Sequence, residues 1–199
     1  MQSQQPPSTE PMKLVGTRHK ARRSWPTALA LLVCLSCGAS GEQVQFGFTR
    51  FVSKAGGYVA YYPSNWHVFS KNLPTLNIDN FPFSRAGGGV LPDGGAQIAV
   101  VPAPLRIATL EEWITADSLL SRQVSRWSMD LPRPNSAEPL SVTEVESRIS
   151  EGMAEIDCYF SISGRLLVAR LSFWPSDPRA GEYRELLHKI VKSVRPLTR

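Results

Sequence analysis

The sequence predicts an α+β fold in which an antiparallel β-sheet is flanked by helices. Two adjacent apolar segments are joined by a two-residue turn, further short apolar segments end at Gly or Pro, and two longer segments have the spacing of amphipathic helices. Because strand segments outnumber helical ones and hairpins join them, helices are expected to pack on the faces of the sheet. The chain has 199 residues, 42% of them hydrophobic, which is enough for one core. We therefore expect a single domain over residues 44–197.

Residues 1–40 are predicted to be a leader, a signal peptide and a tether rather than part of this domain. The first eleven residues are rich in Gln, Ser and Pro, and either form a disordered leader or precede a true start at Met12. A basic segment, 13–23, is followed by the apolar segment 28–35 and by small residues, which is the organisation of a secretory signal. The apolar segment is much shorter than the roughly 20 residues that a membrane-spanning helix needs. The protein is therefore expected to be exported.

The tetrapeptide Cys34-Leu35-Ser36-Cys37 resembles the lipobox of bacterial lipoproteins. In that motif a small residue precedes a Cys that is acylated through its sulfur and becomes the new N-terminus. The last two residues match, whereas Cys34 stands where the motif usually has Leu. The resemblance implies that Cys37 attaches the protein to the membrane of the cell envelope. Cleavage after Ser40, which would release a soluble periplasmic or secreted protein, is the alternative.

The positive charge of the chain is concentrated in its targeting segment. The formal net charge is +5, and five of the 22 basic residues but only one of the 17 acidic residues precede Cys37. The rest of the chain is therefore almost neutral, with 17 basic and 16 acidic residues. Because proteins bind the phosphate backbone through clustered Lys and Arg, the sequence argues against a nucleic-acid partner.

The first elements of the domain are predicted to be strands. Residues 44–52 alternate loosely, and Tyr58–Tyr62 is rich in aromatic residues, with Gly56-Gly57 as the turn between the two. A further strand is predicted over Gln97–Val101. The segment Asn72–Gly95 has no sustained period and is predicted to be a long loop, called here the 72–95 loop. Loops of this length inside a domain are usually functional or mobile.

Two helices are predicted. The first begins at Thr109, because Thr109-Leu110-Glu111-Glu112 has the capping-box pattern. It is expected to continue to Trp127, since apolar residues recur at helical spacing: Trp113, Ala116, Leu120, Val124 and Trp127. The second begins near Asp177-Pro178 and buries Tyr183, Leu186, Leu187, Ile190 and Val194. Its opposite face, with Arg184, His188 and Lys192, is expected to face water.

Between the helices the sequence predicts a strand over Leu140–Ile149 and a hairpin. The hairpin strands, Met153–Ile162 and Arg165–Trp174, are joined by a two-residue turn at Ser163-Gly164. The predicted register pairs Phe160 with Leu167, Cys158 with Ala169, Ile156 with Leu171, and Ala154 with Phe173 on the core face. On the outer face, with Glu155 and Tyr159, it pairs Asp157 with Arg170. Cys158 is therefore expected to be a buried, unreactive thiol.

Three segments of the domain, taken together, resemble the PsbP/Mog1-like family. They are Gly57-Tyr58-Val59-Ala60-Tyr61-Tyr62-Pro63-Ser64-Asn65-Trp66, Thr109-Leu110-Glu111-Glu112-Trp113 and Leu187-His188-Lys189-Ile190-Val191-Lys192-Ser193-Val194. The resemblance runs from about Phe48 to Pro196 and implies a central antiparallel sheet sandwiched by helices. Members of the family that are understood are non-enzymatic accessory proteins, among them an extrinsic subunit of a photosynthetic complex and a small-GTPase binder. The resemblance thus implies a PsbP-like exported protein that binds another protein, and it transfers no binding residue because its motifs are fold-determining.

The sequence contains no motif for catalysis, metal binding or cofactor binding. A nucleophile elbow, a Walker loop and a His-Glu-x-x-His motif are missing, and the predicted domain over residues 44–197 contains no Cys-x-x-Cys motif. No spacing brings His67 or His188 to a carboxylate, and both are expected at the surface or at strand ends. We therefore expect no catalytic residue, no metal site and no cofactor.

The remaining candidate for function is the 72–95 loop. Phe81, Phe83 and Arg85 lie on it next to Pro82, and Trp66 and His67 lie at its base. These residue types are enriched in interface hot spots, so the loop is predicted to bind a protein partner of the envelope. The alternative for the two Phe residues is that they hold the loop against the core. The alternative function is carriage of a small or apolar ligand, with the loop as a lid.

Overall fold

The computed structural model describes residues 47–69, 74–82, 91–119, 121–134, 136–149 and 152–198. All of them lie in the compact unit formed by residues 42–199. The predicted signal segment with Cys37, and the loop residues Phe83 and Arg85, lie outside the described residues. Within the described ranges, no helix has the length and apolar character needed to cross a bilayer.

In the residues that the structure describes, the domain is built from antiparallel sheets and two helices, so the α+β class is confirmed. Its elements in chain order are β1 Phe48–Ser53, β2 Tyr58–Pro63, β3 His67–Val68, β4 Leu76–Asp79, β5 Ala96–Pro102, α1 Leu110–Ser118, β6 Arg122–Leu131, β7 Leu140–Arg148, β8 Ala154–Ile162, β9 Arg165–Phe173, α2 Ala180–Ser193 and β10 Arg195–Pro196. A three-stranded sheet has the order β1-β2-β10, and a seven-stranded sheet has the order β3-β4-β5-β9-β8-β7-β6. All the recorded strand pairs in both sheets are antiparallel.

The hairpin of β8 and β9 forms in the predicted register. Every predicted pair is present, from Phe160 with Leu167 to Ala154 with Phe173, and Asp157 lies opposite Arg170. The turn residues Ser163 and Gly164 have φ angles of 49° and 75°. Positive φ at both central residues is the geometry of the tight turns whose twist matches that of the strands. The local turn therefore fixes the register of β8 and β9, two interior strands of the seven-stranded sheet.

The first predicted hairpin, β1 with β2, is also present, and β10 extends it. The hydroxyl of Tyr58, at the start of β2, connects this small sheet to the large one. It donates to the carbonyl oxygen of Val100 at 2.8 Å and accepts from the backbone N–H of Leu76 at 3.0 Å. Leu76 and Val100 face each other across β4 and β5, so the hydroxyl bridges two strands of the neighbouring sheet.

The helices contact opposite faces of the seven-stranded sheet. The α2 residues Leu187 and Ile190 pack in one core cluster with Cys158 of β8. The α1 residue Trp113 packs in a second cluster with Tyr159, the neighbour of Cys158. Adjacent residues of a strand point to opposite faces, so the two clusters lie on the two sides of the sheet.

The predicted outer face of β8 is therefore covered rather than solvent-exposed. Tyr159 is 1% exposed and Asp157 is 4% exposed, because α1 packs over them. Arg170 binds Asp157 through two hydrogen bonds of 2.8 and 3.0 Å, and a third, of 2.8 Å, reaches Asp117 of α1. Its Nε also lies 3.4 Å from Glu155. One guanidinium thus meets three carboxylates between helix and sheet.

The predicted extent of the first helix was wrong. Thr109 caps α1 as predicted, with its Oγ1 accepting from the backbone N–H of Glu112 at 3.1 Å, but the helix ends at Ser118. Trp127 lies instead in the edge strand β6, opposite Glu144. The residues of β6 alternate between exposed and half-buried, with Ser125, Trp127 and Met129 on the inner side. Trp127 fits both this period of two and the helical spacing. The pairing of β6 with β7 makes the segment a strand.

Two smaller boundaries also differ from the predictions. The 72–95 loop contains a strand, β4, which pairs with both β3 and β5. The sequence did not predict it, because a strand of four residues is too short to show a period. The second helix begins at Ala180 rather than at Pro178. Asp177 forms a turn before it, with Oδ1 accepting from the backbone N–H of Arg179 at 2.8 Å.

Candidate functional site

A cleft of about 430 Å³ lies beside the first turn of α2. Its walls come from three places in the chain: the β2–β3 connection with Trp66, the segments flanking β4 and β5 with Phe81 and Gly94, and the start of α2 with Arg179 and Tyr183. We call it the Trp66 cleft. It combines distant parts of the sequence at one edge of the domain.

The walls of the Trp66 cleft are held by the amide of Asn80. Its Nδ2 donates to the carbonyl oxygen of Gly94 at 3.1 Å and to the hydroxyl of Tyr183 at 3.2 Å, and its Oδ1 accepts from the backbone N–H of Ala96 at 2.9 Å. The Tyr183 hydroxyl also lies 3.1 Å from Oδ2 of Asp177. The strand end, the loop before β5 and the helix are therefore joined, and the cleft is largely formed in advance.

The surface of the cleft presents three residue types typical of binding hot spots. Trp66 meets the ring of Tyr183 edge to face, with centroids 6.4 Å apart and an interplanar angle of 78°. The guanidinium of Arg179 lies 5.3 Å from the centre of the same ring, and its side chain is 50% exposed. Arg179 also donates to the carbonyl oxygen of Gly94 at 2.8 Å. Trp, Tyr and Arg held in fixed orientations are the side chains that contribute most to interfaces.

The structure brings together some of the sequence-predicted residues and not others. Trp66 is half-buried in the cleft. Phe81 lines it but is only 7% exposed, because it packs with Leu91 and Met153, as the alternative of a core-holding Phe predicts. His67 is exposed on β3 and does not line the cleft.

Sequence reasoning missed Arg179 and placed Tyr183 only in the core stripe of the second helix. Tyr183 is indeed buried, yet it also lines the cleft. A possible signal was the spacing of four between Arg179 and Tyr183 at a helix start, which puts both on one face. The contribution of Trp66 to the same site depends on tertiary packing.

A buried carboxylate lies across the β3–β4 pair from His67. Asp79, the strand partner of His67, is 1% exposed, and its Oδ1 has no hydrogen-bond partner within the part of the chain that the structure describes. Burial raises the pKa of Asp79 to about 6, and a hydrogen bond with Gln97 opposes the shift. The raised pKa means that folding disfavours the ionised carboxylate.

Replacement of Asp79 with Asn is expected to stabilise the domain at pH 8 by up to about 3 kcal/mol, since the pKa of Asp79 rises by about 2 units and each unit corresponds to about 1.4 kcal/mol. Because its pKa is raised in the folded state, the protonated carboxyl of Asp79 contributes to the stability of the domain. This contribution is full below pH 4 and is lost as the pH rises through about 6. The advantage of Asn should therefore vanish near pH 4. Urea unfolding at pH 4 and pH 8 measures it, and an advantage that is equal at both values would contradict the assignment.

A second cluster of ionisable residues lies under α2. Glu144 of β7 is fully buried, and its Oε1 accepts from Nε and Nη2 of Arg184 at 2.9 and 2.6 Å. Its Oε2 lies 2.5 Å from Nε2 of His188 and 3.7 Å from Sγ of Cys158. The ring of Trp127 lies 4.8 Å from the guanidinium of Arg184. We call Glu144, Cys158, Arg184 and His188 the Glu144 cluster.

The Glu144 cluster corrects the prediction that Arg184 and His188 face water. Their side chains are 34% and 23% exposed, since both turn towards the sheet to reach Glu144. Burial alone would raise the pKa of Glu144, but the hydrogen bonds from His188 and Arg184 outweigh it and hold the pKa below its usual range. Cys158 is fully buried as predicted, and burial together with Glu144 raises the pKa of its thiol.

No protein-family model matches the sequence, and no curated protein matches it. Solved structures with similar folds include the PsbP protein CyanoP of Synechocystis sp. PCC 6803, with 12% identity and a TM-score of 0.41, where the match covers 80% of this chain and 98% of that one. The protein of unknown function PA94 from Pseudomonas aeruginosa matches with 10% identity and a TM-score of 0.39, over 71% of this chain and 94% of that one. A protein from Bacteroides thetaiotaomicron VPI-5482 matches with 7% identity and a TM-score of 0.42, over 75% and 48% of the two chains. Membership of the PsbP/Mog1-like family stays a prediction from the sequence motifs.

Proposed function

We propose that this protein is a non-enzymatic accessory protein of the cell envelope that binds another protein through the Trp66 cleft. The observation that supports it most is that Trp66 and the exposed Arg179 are both held against the buried ring of Tyr183 at one cleft. A preformed site of this kind loses little conformational entropy on binding. The helices on opposite faces of the large sheet support, in addition, the PsbP/Mog1-like sandwich that the sequence motifs imply.

The proposed partner presents a protein segment with an apolar side chain. That side chain would rest against Trp66, over the floor formed by Phe81, while polar groups of the segment meet Arg179 and the exposed amide of Asn65 at the rim. An apolar centre with a polar rim is the usual composition of a protein interface. The cleft forms the centre of the interface in this proposal, and the 72–95 loop contributes to it through Phe81 and Gly94.

Site-specific cross-linking in intact cells tests this proposal. With benzoylphenylalanine in place of Asn65, at the cleft, we expect one predominant cross-linked protein. With the same amino acid in place of Leu105, which is fully exposed in the β5–α1 connection, we expect no cross-link to that protein. Equal labelling of many proteins from both positions would count against a defined partner at the cleft.

Substitution of Arg179 with Ala is expected to weaken binding of that cross-linked partner at least tenfold, since a hot-spot side chain contributes about 2 kcal/mol or more. Trp66→Ala should have a similar effect. Arg106→Ala, which removes an exposed Arg of the β5–α1 connection, serves as the matched control and should leave the affinity unchanged. The affinity of each variant is measured by titration against the immobilised partner, and melting curves show whether the variant is folded. Equal affinities of the Arg179 and Arg106 variants would exclude the cleft as the binding site.

Membrane attachment through Cys37 is the second part of the proposal. It rests on the lipobox resemblance and on the preceding basic and apolar segments. Intact-mass measurement of the protein from its native membrane should show an acylated N-terminal Cys37, and Cys37→Ser should release the protein into the soluble fraction. A mature N-terminus at Gly41 would show cleavage after Ser40 instead.

Carriage of a small ligand is the second candidate function. The volume of the Trp66 cleft, about 430 Å³, is within the range of small-molecule sites, roughly 300–1,000 Å³. Native mass spectrometry of protein purified from its source distinguishes the two functions. A constant added mass that Trp66→Ala removes would favour a carrier, and protein of unmodified mass that still forms the cross-link would favour the accessory role.

A further inference from the structure

We propose that the Glu144 cluster binds a zinc ion through Glu144, Cys158 and His188, which lie on β7, β8 and α2. One carboxylate oxygen, one sulfur and one imidazole nitrogen from these residues all lie within 4.8 Å of one another. Sulfur, nitrogen and oxygen donors together suit Zn²⁺ better than Mg²⁺ or Ca²⁺, which prefer oxygen alone. The inference is independent of the Trp66 cleft, which uses other residues.

One distance between the donor atoms matches a tetrahedral site, and a second is shorter than such a site requires. Bonds of about 2.0–2.3 Å place neighbouring donor atoms about 3.3–3.7 Å apart. The Sγ of Cys158 already lies 3.7 Å from Oε2 of Glu144. The Nε2 of His188 lies 2.5 Å from the same oxygen, so it has to withdraw by about 1 Å to admit the ion. His188 is on the edge of α2 with its side chain 23% exposed, and it gives the cluster its route to solvent.

The contacts that His188 and Cys158 make with Oε2 of Glu144 are the ones that a bound ion would replace. Hydrogen atoms carried by His188 and Cys158 point at this one oxygen and satisfy it. Zn²⁺ in the same position would take a lone pair from each of the three atoms. The thiol proton is then lost to solvent, and the proton on Nε2 of His188 is also released while the imidazole keeps or gains its proton on Nδ1. No buried polar group is left without a partner by the exchange, and the fourth position of the ion remains for water.

Arg184 is the hydrogen-bond partner that a metal-ligating carboxylate usually has beyond the metal itself. It binds Oε1 of Glu144 through two nitrogens and so leaves Oε2 facing Cys158 and His188. Partners of this kind orient a ligating carboxylate. The ion with its carboxylate and thiolate ligands is neutral, and the charge of Arg184 is offset by Glu146, 3.5 Å away. The cluster can therefore accept a divalent cation beside a guanidinium.

Titration with Co²⁺, which takes zinc sites and has visible absorption, tests the proposal. The protein is the full chain with Cys34 and Cys37 replaced by Ser, so that Cys158 is the only thiol of the three. We expect one Co²⁺ per chain, a thiolate-to-cobalt charge-transfer band, and displacement by one equivalent of Zn²⁺. Zn²⁺ should also raise the melting temperature.

Three variants assign the ligands. Cys158→Ser should abolish the charge-transfer band, and His188→Gln should weaken Co²⁺ and Zn²⁺ binding at least tenfold. His67→Gln removes an exposed histidine outside the cluster and should change neither. If Cys158→Ser does not fold, the comparison of the two histidine variants decides. The absence of a charge-transfer band in the parent protein, or equal weakening by His67→Gln and His188→Gln, would overturn the proposal.

Discussion

Arg170→Met is expected to lower the free energy of unfolding by about 3–5 kcal/mol at pH 8, the range for breaking a buried ion pair. The side chain of Arg170 meets Asp117, Glu155 and Asp157 between α1 and the sheet. Met retains most of the aliphatic contacts but leaves three carboxylates without their counter-ion. Asp157 is affected most, because it is 4% exposed and water cannot replace the lost bonds.

The loss should depend on pH in a direction that the carboxylates determine. Burial already raises the pKa of Glu155 to about 7, with the neighbouring Asp157 adding to the effect. Removal of Arg170 raises this pKa further, and a raised pKa in the folded state means stability that is lost as the pH increases. Unfolding by urea should therefore show a larger deficit at pH 8 than at pH 5.

Two further variants test this explanation of the Arg170 effect. Asp157→Asn in the Arg170→Met background should recover part of the lost stability, since it removes the most buried charge. Arg126→Met breaks the ion pair between Arg126 and Glu111, whose side chains are 37% and 66% exposed. Because solvent screens an exposed pair, this variant should lose far less stability than Arg170→Met. A deficit that is the same for Arg126→Met as for Arg170→Met would mean that burial of the charges is not its cause.

Tyr58→Phe is expected to lower the free energy of unfolding by about 2–6 kcal/mol, since two buried backbone groups would lose their partner at about 1–3 kcal/mol each. The Tyr58 hydroxyl satisfies the N–H of Leu76 and the carbonyl oxygen of Val100. The ring itself stays, so the change isolates the hydroxyl. Urea unfolding monitored by tryptophan fluorescence measures the loss.

The matched control for Tyr58 is Tyr62→Phe in the same strand. Tyr62 is only half-buried, and the substitution should change stability by about 0.5 kcal/mol or less. Amide exchange at Leu76 gives a second readout, because its N–H should lose protection in Tyr58→Phe alone. Unchanged protection there would show that another group replaces the hydroxyl.

The parts of the fold that the sequence predicted are those determined by neighbouring residues. The turn at Ser163-Gly164 and the alternation on both sides of it were sufficient for the register of β8 and β9, and the pairing of Asp157 with Arg170 followed from that register. The cap at Thr109 was predicted for the same reason. In contrast, β4 has only four residues and forms because β5 is beside it.

The candidate sites were harder to predict because they depend on contacts between distant segments. Trp66 was selected by residue type, but Arg179 and Tyr183 reach it only through the packing of α2 beside β4. Glu144 and His188 are 44 residues apart. One signal was present in the sequence: Glu144 shares the inward face of β7 with Leu140 and Val142, where a charged residue requires a partner.

The pairing of β10 with β2 restricts the order in which the domain assembles. Arg195 pairs with Val59, and the backbone N–H of Tyr61 donates to Oγ of Ser193, 132 residues away in the chain. During synthesis, in which the N-terminus emerges first, the β1–β2 hairpin is complete early and keeps one edge unpaired until residues 193–196 arrive. Contacts between distant residues form slowly, and open strand edges invite wrong pairings. A nascent domain of this design would therefore benefit from a chaperone that shields the outer edge of β2 until the last residues are available.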